Sequence, residues 1–190
     1  MNQRWIALAA LLAAGAARAD GFHAGVLLNG GLPAPLGVEL FARTDLFGIG
    51  VGYAALPEAL GDKLLSLAGV NNATLAADAI EVDLRLFPFL GSFFVGASAG
   101  RQSITATTSQ QGQTGTVSVT TLMAAPRLGW LWRFGPGIAL GFDLGVQIPF
   151  AASKAITPPV AASNKDINDA ADVVGSTPLP SIHLRVGYLF

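Results

Sequence analysis

Ser181-Ile-His-Leu-Arg-Val-Gly-Tyr-Leu-Phe190 decides how the rest of the chain is read. At a period of two, Ile182, Leu184, Val186, Tyr188 and Phe190 fall on one face, and Ser181, His183, Arg185 and Gly187 fall on the other. Successive side chains of a strand point to opposite faces, so this stretch predicts a strand with one apolar and one polar side. About ten residues, tilted, are enough to cross the hydrocarbon core of a bilayer.

Composition agrees with a chain that meets lipid. Of 190 residues, 52% are hydrophobic and 12% charged, which is too apolar for an ordinary soluble domain. The length allows one domain. Beyond the N-terminal segment no apolar run approaches the roughly 18 residues of a spanning helix. A closed β-barrel is the other fold that satisfies every backbone polar group in lipid. Twenty-three glycines suit strands crowding a narrow interior, and with no cysteine no disulfide staples the fold. A formal net charge of -1 argues against nucleic acid as a partner.

Residues 1–19 predict a cleaved export signal. Arg4 provides the positive start, Trp5 to Ala14 the apolar middle, and Ala17-Arg18-Ala19 the small-x-small pattern before a cut near Asp20. Without Arg4 and Arg18, nine basic residues face twelve acidic ones. Residues 20–190 form the expected barrel domain.

Seven further alternating segments precede the last one, at about 21–28, 36–43, 46–55, 78–87, 92–107, 117–134 and 138–150. Asn29-Gly30-Gly31 reads as the end of the first. Pro126 predicts a bulge or a missing ladder bond in the sixth. Arg101 falls on the apolar face of the fifth, which requires it to sit high enough to snorkel to the outer rim. Between the third and fourth, Pro57 and the stripe Leu60, Leu64 and Leu67 predict a short surface helix. Ser109 to Gly115 reads as an exposed hairpin loop.

Connections after the first, third, fifth and seventh segments are long or carry proline, whereas those after the second, fourth and sixth are tight. Outer-membrane barrels show the same asymmetry, with short periplasmic turns and longer extracellular loops. Parity and alternation together predict an all-β, closed antiparallel eight-stranded transmembrane β-barrel, an up-and-down meander with both termini periplasmic and the short helix in the second extracellular loop.

Turning the apolar faces to lipid sends Glu39, Glu81, Asp83 and Asp143 inward with Arg43, Arg85, Arg127, Arg133 and Arg185. Unpaired charges in a narrow interior are costly, so the expectation is a neutralising lumen network and a plugged cylinder. Trp130, Trp132 and Phe134 bunch at one end as an interfacial girdle.

The last strand, with Tyr188 and the terminal Phe190 behind alternating apolar residues, resembles the C-terminal signature of outer-membrane barrels. That resemblance implies recognition of Tyr188 and Phe190 by the barrel assembly machinery. In layout the whole mature chain resembles the small eight-stranded family typified by the OmpA transmembrane domain and OmpX. The likeness in motif covers only the final strand. The family implies a monomer embedded in outer-membrane lipid and lipopolysaccharide, exported through the Sec pathway, with function carried by its outer loops. No peptidoglycan-binding domain follows Phe190, so a cell-wall tether is not expected.

No catalytic, metal or cofactor site is expected. His23 and His183 sit at opposite ends of neighbouring strands. Ser181 and His183 share a face at the height where lipid A modifying barrels such as PagP and PagL work, but point inward and lack an evident third member. Asn164 to Asp169, with Asp172, lacks the glycine and glutamate of a calcium loop. The glycine-rich inner faces of the third and seventh segments raise a second alternative, an OmpW-like channel for small apolar compounds.

Overall fold

A computed structural model of the chain describes residues 21–32, 35–67, 73–110, 113–157 and 176–190. The export signal and the Asn164 to Asp172 stretch lie outside them. Eight strands follow in order: β1 (His23–Leu32), β2 (Leu36–Arg43), β3 (Phe47–Leu56), β4 (Ala73–Leu86), β5 (Phe93–Gln110), β6 (Gln113–Phe134), β7 (Ile138–Thr157) and β8 (Leu179–Leu189). Each pairs antiparallel with the next, and β8 returns to β1 to close the barrel. The seam carries Gly25↔Leu189 through Leu32↔Ile182, and the Phe190 amide donates to the Ala24 carbonyl at 2.8 Å.

The apolar faces turn outward, as the alternation predicts. Ile49, Val51, Leu84, Leu140, Val186 and their like are about half exposed on the outer wall. At the tight-turn end this wall carries Trp130, Trp132, Phe134, Tyr188 and Phe190, all exposed. Trp130 meets Phe93 edge-on at 5.3 Å, and Tyr188 meets Phe190 likewise at 5.1 Å. Tyr53 and Phe150 occupy the outer wall toward the other end.

Several sequence expectations shift, among them the start of β4, which lies at Ala73 and not at residue 78, and the end of β7, which runs to Thr157 and not to residue 150. Strand β1 does not end at Asn29-Gly30-Gly31 but runs to Leu32, because Gly30 and Gly31 pair with Leu184 and His183 of β8. A Cβ at Gly31 would strike the Ile182 carbonyl, so glycine permits the close approach that closes the barrel. Most of Ser109 to Gly115 is strand, with Ser109↔Thr114 and Gln110↔Gln113 in register; Gln111 and Gly112 lie outside the described residues. Pro126, by contrast, behaves as expected: the β6–β7 register passes from Ala124↔Ile148 to Arg127↔Gly145, with a further irregularity at Leu122/Met123.

The helix α1 (Glu58–Leu67) follows β3 and packs on β4, where Gly61 rests against Leu75. Its first turn is fixed by Leu60 and Gly61 amides donating to the Pro57 carbonyl. The side chains of Leu64 and Leu67 lie outside the described ones.

Candidate functional site

The interior is layered. Nearest the tight turns is an apolar plug of Leu27, Phe41, Phe87, Phe94, Leu131, Ala139 and Leu189, all buried. Phe87 belongs to no strand; it follows β4, held by its amide donating to the Leu46 carbonyl at 2.7 Å, and meets Phe94 at 5.8 Å. The inward parity of Leu27, Phe41, Phe94, Leu131 and Leu189 was visible in the sequence, but a lumen expected to be polar hid its meaning.

Above the plug, β2, β4, β6, β7 and β8 bring together the predicted charges. Arg85 reaches Glu39 at 2.5 Å and Asp83 at 3.1 Å. Arg127 reaches Asp83 at 3.1 Å, Glu81, and the Ser98 hydroxyl at 2.6 Å. Arg185 joins Glu39, Asp143 at 2.7 Å and Asp83 at 3.7 Å. Asp83 therefore faces three guanidiniums, and Glu39 is held between two. Four acids stand against three arginines, with His183 as the remaining basic group, its Nδ1 3.1 Å from Asp143.

Arg43 does not join this network. It donates to the carbonyls of Thr44 and Gly91, both at 3.2 Å, and lies over the Phe87 ring at 3.8 Å. At the last position of β2 it is on the far side of the plug from the acids, so cation–π contact and backbone carbonyls replace a carboxylate. Arg133, also expected inward, is exposed at the rim beside the Gly135–Gly137 turn. Arg85 links the layers, with its guanidinium 4.4 Å from the Phe41 ring and 5.0 Å from Phe94.

Inward glycines make room for these long side chains. Arg127 pairs with Gly96 on one side and Gly145 on the other, and Asp83 with Gly50 and Ser98. A Cβ on Gly145 would come within 2.9 Å of Arg127 Cγ, and one on Gly129 within 2.6 Å of Asp143 Cβ. Glycine on β3 and β7 thus marks volume already filled by neighbours, which removes the sequence basis for the apolar channel.

A chamber of about 30 Å³ remains above the charged layer, lined by Glu81, Gln102, Met123, Gln147, Ser181 and His183 among others. That is the space of a water molecule or so. Beyond it Leu56, Val117 and Val119 are again buried.

Ser181 and His183 do acquire a carboxylate neighbour, since register sets Asp143 opposite His183. Ser181 Oγ at 3.3 Å and Asp143 Oδ1 at 3.1 Å address the same ring nitrogen, Nδ1. A proton relay needs hydroxyl and carboxylate on opposite nitrogens. His183 pairs with Gly31, eight β1 positions from His23, so the two histidines stay apart as expected. Among the described residues, no group of three or more His, Asp or Glu could hold a metal ion.

No protein-family model matches the chain, and no curated protein matches it. Solved structures do. A major outer membrane protein from Thermus thermophilus aligns over 89% of this chain and 98% of its own, at 16% identity and a TM-score of 0.51. The fold is that of the small outer-membrane barrels. CarO2 of Acinetobacter baumannii (12% identity, 88% and 98% covered) and Ail of Yersinia pestis (12%, 89% and 96%) also align, both at a TM-score of 0.46. The fold assignment follows from the first of these and from the closed eight-stranded topology.

Proposed function

We propose that this chain is an integral outer-membrane barrel whose lumen is filled by its own side chains. Its role is structural, or is exercised through the connections at the end away from the tight turns. The observation that carries this reading is the stacking of two seals: a layer of ion-paired arginines and carboxylates lies directly on an apolar plug. The outer wall of half-exposed Val, Leu and Ile bounded by aromatics supports membrane insertion, and the likeness to an outer membrane protein supports the compartment.

In this reading the tight turns and both termini face the periplasm, residues 1–19 are removed on Sec export, and the barrel is a monomer in lipid and lipopolysaccharide. Tyr188 and Phe190, exposed on the strand that closes the barrel, are what the assembly machinery would grip. The reading is non-enzymatic, because the Ser181–His183–Asp143 group lies inside the barrel and lacks relay geometry.

Single-channel recording of the purified barrel in planar bilayers tests the central claim. The expected trace is a flat baseline with at most rare, small openings; steady large currents would overturn the filled lumen and favour a channel.

A further inference from the structure

The outer wall of the β5–β6 hairpin changes character at one rung. On the tight-turn side, outward residues are Phe93↔Trp130, Val95↔Leu128, Ala97↔Pro126 and Ala99↔Ala124. At Arg101↔Leu122 the pattern breaks, and beyond it every outward pair is hydroxylic: Ser103↔Thr120, Thr105↔Ser118 and Thr107↔Thr116. Two of these pairs are hydrogen-bonded across the strands, both at 3.3 Å.

The stretch from Phe93 to Arg101, eight residues on a strand tilted by about 40°, rises roughly 20 Å, close to the height of the apolar band of such barrels. Arg101 therefore stands at the upper edge of the lipid-facing wall. It is exposed, its strand neighbours Ile80 and Leu122 are apolar, and among the described residues it makes no ion pair or hydrogen bond. The nearest outward acid by register is Asp78, opposite Ser103, and no ion pair joins the two. A guanidinium at the edge of a lipid-facing wall is stabilised by an anion, and two oxygens of a phosphate match its planar, two-pronged fork.

We infer that Arg101 and the hydroxyl ladder above it form a docking strip for a phosphorylated glycolipid of the outer leaflet. Arg101 takes the phosphate, and the Ser and Thr side chains take the sugar hydroxyls. The strip rests on the orientation proposed above, with the β5–β6 hairpin outward.

Native mass spectrometry of the refolded, detergent-solubilised barrel tests this with two probes, bisphosphorylated lipid A and the same lipid stripped of both phosphates. The expected result is about tenfold stronger retention of the bisphosphorylated form, equivalent to roughly 1.4 kcal/mol. Arg101→Ala should abolish that ratio and Arg101→Lys should keep part of it. Equal retention of the two lipids, or an unchanged ratio in Arg101→Ala, would overturn the strip. Insertion into phosphatidylcholine vesicles is measured alongside. Failure of the wild type to insert overturns the barrel reading and this inference together; insertion with equal retention overturns this inference alone.

Discussion

Two neighbouring layers of the same lumen are equally dry and are held by opposite physics. In the plug, Phe41, Phe94, Leu131 and Leu189 are stabilised by contacts that are individually small and forgiving of shape. In the layer above, Asp83, Arg85, Arg127 and Arg185 are stabilised by charges whose desolvation is offset only if every partner stays in place. The plug should lose stability gradually when its residues are altered, and the charged layer abruptly. Arg85, packed over Phe41 and Phe94 while paired with Glu39 and Asp83, belongs to both.

The largest effect expected from breaking this contrast is Asp83→Asn, which keeps the shape and removes the charge. Three guanidiniums would lose the negative charge they share, at a cost of about 3–5 kcal/mol. Urea unfolding of the barrel in lipid vesicles, followed by tryptophan fluorescence, measures it. A loss under about 1 kcal/mol would mean the layer behaves like a solvated surface and is not a dry seal.

A middle effect comes from the space that glycine leaves. Gly129→Ala puts a methyl against the Phe142 carbonyl and within 2.6 Å of Asp143 Cβ, so either backbone or carboxylate must shift. Overpacking of this kind costs about 1–3 kcal/mol. If Asp143 is pushed from Arg185, Asp143→Asn in the same background should cost less than it does alone, a coupling read from a double-mutant cycle. Additive losses would show that Gly129 only accommodates backbone.

Much of this was legible in the sequence, for reasons that also explain the rest. Strict alternation sent Glu39, Asp83, Arg85, Arg127, Asp143 and Arg185 inward, because a strand's period is fixed by covalent geometry. Which acid meets which arginine depends on register between strands, so Asp83 as the hub could not be read. Arg43 shared the inward parity but not the height of the acids, and height is a property of strand stagger. The extra length of β5 and β6 is not legible because Ser and Thr on the outer wall carry no hydropathy contrast with a polar loop.

The smallest effect separates the layers most cleanly. Phe94→Leu, like Asp83→Asn, replaces a buried side chain by one of similar bulk. Phe94 packs against Phe87 at 5.8 Å and under the Arg85 guanidinium at 5.0 Å. A leucine keeps most of the apolar volume and loses the ring's attraction for the cation, so the cost should stay under about 1.5 kcal/mol. The same urea titration measures it, beside Asp83→Asn. If Phe94→Leu costs as much as the aspartate change, the plug is not forgiving. The Phe41–Arg85–Phe94 stack would then be part of the charged layer's own machinery, and the boundary between the two layers would lie one residue lower, at Leu131 and Leu189.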